Sequence, residues 1–353
     1  MGRDSGEPSV RPPEITPGSS ESRPTKSRRS IGLRERMEGM LRIITGWAIA
    51  VIMAIGAAGC SPQGQAPTER SEAPRKGTEG PPIIYVVNYP LWYLTSRIVG
   101  EHAKVVLPPE SGSDPAFWRP TETHVQAYQN ADLILLWGAD YAKWVQNVTL
   151  PYSRVIDTGK PIRDRYIFEQ EMVTHSHGDS GEHSHGAVVF TSWLDFELLL
   201  QQAREIADRL MERYPQHARP YGENFRGLEA DLLAIDQQFN DAIPESLKEP
   251  VFASHPVYQY LARRYGLKLT NFHWEPGEAV EESEWAKFDE LMEEQPARWM
   301  LWEGSPEASV ASRLREAGVT PIVILTVGGI PESGDFLTIM QENAARLRTA
   351  FHQ

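Results

Sequence analysis

The chain has 353 residues, 41% of them apolar and 24% charged, with a formal net charge of −13 at pH 7. That length holds about two domains, the balance is that of a globular protein, and the negative charge excludes the basic footprint of a nucleic-acid binder. The one cysteine, Cys60, excludes an intrachain disulfide and a thiolate metal cluster.

Residues 1–42 are rich in Pro, Ser and Arg without an apolar period, and read as a disordered N-terminal extension. Residues 43–60 follow a basic flank with an apolar stretch that ends in small residues, Ala58-Gly59-Cys60. The stretch is at the short end for a spanning helix and fits a secretory signal. It resembles a bacterial lipoprotein signal, which implies lipidation at Cys60 and an extracytoplasmic chain anchored to the membrane. Residues 61–81 are rich in Pro, Gly, Glu and Gln, and read as a flexible tether.

Residues 82–192 read as an N-terminal α/β lobe. Apolar, β-branched runs at 83–88, 104–107 and 131–137 predict strands, and 90–100 and 120–129 predict helices between them. Continuous apolar strands alternating with helices indicate a parallel sheet covered on both faces. The loop 174–186 carries His175, His177, His183 and His185, four of the ten histidines. Paired His-Ser-His spacing about a Gly/Ser hinge reads as metal binding.

Residues 193–248 predict a long linking helical region. Leu194, Leu198, Ala203, Ile206 and Leu210 form one stripe, and Phe225, Leu228, Leu232, Ile235 and Phe239 a second one beyond Pro215. Residues 249–353 predict a second α/β lobe, with strands at 250–254, 267–273, 299–302 and 321–325 and a terminal helix at 335–351. The expected fold class is therefore α/β: two lobes, each a mostly parallel sheet with flanking helices, joined by a long helix.

In open α/β sheets ligands bind beyond the carboxyl ends of the strands. That rule selects His255, Glu303, His273 and Asp114, each at or just after a predicted strand. His102, His124, His217 and His352 fall on predicted helices or near a terminus and read as surface residues. The chain has no P-loop, no dinucleotide-binding glycine fingerprint, no nucleophile elbow and no His-Glu-x-x-His. A binding protein is expected, not an enzyme.

Four segments carry a family resemblance: Asn88-Tyr-Pro-Leu-Trp-Tyr-Leu94, Asn130-Ala-Asp-Leu-Ile-Leu-Leu-Trp-Gly138, Trp193-Leu-Asp195 and Ala253-Ser-His-Pro-Val-Tyr-Gln-Tyr-Leu-Ala-Arg-Arg-Tyr-Gly-Leu267. From Ile83 onward the chain resembles the zinc/manganese solute-binding receptors of bacterial ABC importers, in the lipoprotein form with a His-rich loop. The resemblance implies an ion in a cleft between the lobes, held by histidines and a carboxylate. By position it puts Asp114, Thr191, His255 and Thr326 at the four ligand sites, so that only His255 is kept. Two explanations follow: the centre is rebuilt from His183 or His185 with His255, Glu303, and Asp114 or His273, which is the expectation, or the cleft has lost its metal specificity. The implied cargo is a divalent ion, Zn2+ before Mn2+, and the implied partners are an ABC permease and its ATPase, with the receptor a monomer. The alternative is a surface metallochaperone or adhesin without a dedicated permease.

Overall fold

The structure, a computed structural model, describes residues 80–108, 115–168, 173–176, 182–185 and 188–352. The expected extension, the signal with Cys60 and nearly all of the tether lie outside the described residues, as do Asp114 and His177.

The first sheet has β1 (Ile83–Val86), β2 (Lys104–Val106), β3 (Leu133–Leu136) and β4 (Val155–Asp157). They lie in the order β2-β1-β3-β4, all parallel. The most apolar strands, β1 and β3, take the centre. Helix α1 (Tyr89–Val99) starts where the Asn88 side chain accepts the Leu91 N–H at 3.0 Å, and stops at Gly100 with φ +53°. Helix α2 (Glu122–Asn130) carries a capping box between Thr121 and His124. Strand β4 was not expected, because three half-buried edge residues are too short to show a period.

The His-rich segment is not all loop. β5 (Val173–Ser176) and β6 (Glu182–His185) pair antiparallel, with His175 opposite His183 and Val173 opposite His185. A bridge between Phe168 and Val188 closes the base of this hairpin.

The link between the lobes is two helices, α3 (Phe196–Arg213) and α4 (Ala218–Ala242). Pro215, in a short turn at Pro215–His217, separates them, since it lacks the N–H that a continuing helix needs. Helix α3 begins three residues later than the sequence suggests. Trp193 belongs to a 3-10 turn, and the Asp195 side chain caps the helix by accepting the Glu197 N–H at 3.2 Å and the Leu198 N–H at 3.4 Å.

The second sheet has β7 (Pro250–Ala253), β8 (Lys268–Asn271), β9 (Trp299–Trp302) and β10 (Thr320–Val323), parallel, in the order β10-β9-β7-β8. Its helices are α5 (Gln259–Tyr265), α6 (Glu282–Glu294), α7 (Ala308–Glu316) and α8 (Phe336–Phe351).

One apolar core runs from the first sheet through α3, α4 and α8 to the second sheet. A separate aromatic core of Phe252, Phe272, Trp274, Trp285, Phe288 and Trp302 lies on the second sheet. Each fully buried ring there contributes about 3 kcal/mol from apolar transfer. A buried carboxylate fastens α5 to α3. Asp195 meets Arg263 at 3.3 Å and Arg264 at 3.4 Å, while Arg264 also reaches Glu197 at 3.1 Å and pairs with Asp236 of α4.

Candidate metal centre

Three donors converge at the carboxyl ends of adjacent strands in the second sheet. His255 follows β7, Glu275 follows β8 and Glu303 follows β9, and one ligand atom from each lies within 4.8 Å of the others. Among the described residues, no other group of three or more His, Cys, Asp and Glu converges in this way.

The local sequence explains the convergence. Parallel register carries the ladder past the formal strand ends: the Ser254 N–H donates to Leu301 O at 2.8 Å, and the Trp274 N–H to Ser254 O at 2.6 Å. Both glutamates directly follow a tryptophan that is buried in the aromatic core, Trp274 at 2% exposure and Trp302 at 0%. Side chains alternate faces along an extended chain. Sinking each indole into the core thus turns the next residue to the opposite side, where His255 lies. The two glutamate turns also approach each other closely. A Cβ on Gly304 would stand 2.9 Å from Pro276 Cβ, so glycine is what lets Pro276 pack there.

His255 Nδ1 lies 3.4 Å from Glu275 Oε1, with the two side chains 16% and 29% exposed. Two ligands each about 2.1 Å from one ion at a tetrahedral angle are about 3.4 Å apart, so this pair already has the spacing of a shared cation. His273 meets His255 edge-on, with ring centroids 5.8 Å apart. Tyr258, fully buried, donates its hydroxyl to Ile324 O at 2.8 Å. Burial, and next the charge of Glu303, push this phenol well above its ordinary range, so it stays a neutral donor. Two carboxylates this close repel each other, and a divalent cation removes that repulsion. The group can bind a cation by one imidazole and two carboxylates.

The structure thus brings together His255 and Glu303 of the residues expected from sequence, and sets His273 beside them. Asp114 and His177 lie outside the described residues, and His175, His183 and His185 are described only by backbone pairing in the hairpin. Glu275 was missed. Its signal was the dipeptide Trp-Glu, which ends two strand regions, at 274–275 and 302–303. Two threonines stand where the resemblance places ligands in other family members. The Thr191 hydroxyl donates to Val257 O at 2.7 Å, and Thr326 O accepts from Trp193 Nε1 at 2.7 Å. Of the histidines read as surface residues only His352 is exposed. His124 belongs to a capping box, and His102 stacks on His217 with centroids 4.6 Å apart. A cavity of about 290 Å³ at the ends of β3 and β4, walled by Trp137, Asp140, Tyr141, Asp157, Arg163 and Tyr166, contains none of the expected donors.

Comparison with known proteins gives concordant results. The family model described as ZnuA, the periplasmic component A of a zinc-uptake complex, matches residues 84–350. The zinc-binding lipoprotein AdcA of Streptococcus pneumoniae is 23% identical over 291 residues, covering 79% of this chain and 58% of AdcA. This chain thus spans little more than half the length of that relative. The high-affinity zinc uptake system protein ZnuA of Bacillus subtilis is 25% identical over 278 residues, covering 74% of this chain and 84% of that protein. Among solved structures, the Zn(II)-bound ZnuA-like domain of S. pneumoniae AdcA superposes with a TM-score of 0.65 at 20% identity, over 78% of this chain and all of that one. The metal-dependent lipoprotein YcdH of B. subtilis gives 0.65 at 21% identity, over 76% and 98%.

Proposed function

This chain belongs to the ZnuA family of periplasmic zinc-uptake components, and from that premise we propose that it is an extracytoplasmic receptor that captures a divalent metal ion, zinc first, and delivers it to an ABC permease. Family membership makes it a binding protein and not an enzyme. The observation that carries the reading is the convergence of His255, Glu275 and Glu303 at three adjacent strand ends.

The chemistry needs no covalent step. The imidazole and the carboxylates replace water on the cation, and the carboxylate charges offset the charge of the ion. Mixed nitrogen and oxygen donors suit Zn2+ and admit Mn2+. Binding requires a neutral imidazole and ionised carboxylates, so affinity falls in acid. Release to the permease follows when its own donors compete for the ion.

The remaining parts of the receptor follow the sequence. Lipidation at Cys60 and a tether at 61–81 would hold a monomeric body at the membrane, within reach of a permease and its ATPase. The body would comprise lobes 82–192 and 249–353, with 193–248 between them. Asp114 and the hairpin histidines would gather ions around the centre, and His273 would orient His255. AdcA is named a zinc-binding lipoprotein, which supports both the cargo and the anchor.

Calorimetry on the chelator-stripped chain tests this reading. Zn2+ should bind with a tight site near one ion per chain, and His255→Ala should abolish that site. No heat from any divalent ion would refute the receptor assignment.

A further inference from the structure

We infer that Glu275 is a metal ligand and that Gly304 sets its distance from Glu303, so that one edge of the second sheet fixes three donors to the ion. This inference rests on the receptor reading and goes beyond it, because it names a ligand outside the positions the resemblance implies and says what fixes the spacing of the donors.

Three observations carry it. First, the three donors leave strands that are hydrogen-bonded neighbours, β9-β7-β8, so one sheet edge positions all of them. Second, the turn after Glu275 and the turn after Glu303 touch through Pro276 and Gly304, where a Cβ would stand 2.9 Å and 3.2 Å from two proline ring carbons. A proline ring cannot yield by changing rotamer, so the contact fixes how far apart the carboxylates sit. Third, Thr191 approaches the turn of His255 from the first lobe without offering its hydroxyl to the centre. Thr191 is 2% exposed, and its hydroxyl is spent on Val257 O, in the turn that carries His255. It braces that turn.

A centre on one sheet edge is preorganised. These three donors are already near one another on one sheet, so the ordering cost of bringing them onto the ion is small. Two carboxylates and one imidazole also give a dianionic set, which becomes neutral on taking up a divalent ion.

Competition titration of the full, chelator-stripped chain with Zn2+ tests the inference. Loss of an outer-shell partner typically weakens a site by about 10–100-fold. Glu275→Gln should exceed that range, while the metal-free melting temperature stays within a few degrees of the wild type. Gly304→Ala should weaken binding at least about tenfold by pushing the turns apart, although it removes no donor. X-ray absorption at the zinc edge provides a readout independent of affinity and of variant folding. The wild-type spectrum should show at most two imidazoles, with oxygen ligands making up the rest. A Glu275→Gln loss of less than about 100-fold, unchanged affinity in Gly304→Ala, or three or more imidazoles in the spectrum would overturn the inference and leave the receptor reading standing. Absence of zinc binding by the wild type would remove the receptor reading instead.

Discussion

At the scale of single residues, the centre depends on what stands immediately before each donor. Ser254, Trp274 and Trp302 are buried, and the next residue in each case is His255, Glu275 or Glu303. The backbone is pinned on one face so that a polar side chain is presented on the other. Glu303→Gln keeps the shape and removes the charge. It should weaken zinc binding by at least tenfold with little change in stability, which paired titration and thermal melts would show. Trp302→Ala should do the reverse first, since deleting a buried indole costs about 3–5 kcal/mol. A urea denaturation curve would show that loss, with weakened binding as a consequence. His255 and Glu303 were legible in the sequence because each follows an apolar run. Glu275 was not, because its strand ends at Asn271 and the chain runs on through three more residues before the donor.

At the scale of elements, two of the family-like segments hold each other. Trp193-Leu-Asp195 supplies the buried carboxylate, and Ala262-Arg-Arg-Tyr265 supplies the guanidiniums that meet it. They fasten α5, and with it the turn bearing His255, to the linking helices. Breaking a buried ion pair from one side costs about 3–5 kcal/mol. Asp195→Asn should destabilise the fold by roughly 3 kcal/mol in urea denaturation. The same clasp gives a pH signature. The Arg165 guanidinium, hydrogen-bonded to Glu197, holds its carboxyl below the ordinary value of 4.5. A depressed folded-state pKa gives stability that is fully present above the unfolded value and lost as the pH falls through the folded one. The melting temperature of the wild type should therefore exceed that of Glu197→Gln at pH 6 and converge with it as the pH falls below 4.5 and through the depressed folded-state value. The clasp could not be read from sequence, since its partners are 68 and 69 residues apart. The α3 and α4 stripes could, because helical periodicity is local.

At the scale of the whole molecule, two parallel sheets of four strands and a pair of linking helices were largely legible. Buried parallel strands are continuous apolar runs, and those are visible without an alignment. What resisted was small or non-local: the three-residue edge strand β4, the pairing of β5 with β6, and the choice of donors. The family resemblance marked Thr191 and Thr326 as positions without a ligand, and the Thr191 hydroxyl is engaged by Val257 O while the Thr326 backbone accepts from Trp193. Replacing His175, His177, His183 and His185 together by alanine should leave the tight zinc site in place and remove weaker additional ions, so the stoichiometry at high zinc should fall toward one. Loss of the tight site in that variant would return the hairpin to the centre.

The most direct measurement is a crystal of the chain grown with zinc and recorded on both sides of the zinc absorption edge. One strong anomalous peak is expected within bonding distance of His255, Glu275 and Glu303. A strong peak elsewhere, or none at this sheet edge in protein shown to carry zinc, would contradict that ligand set.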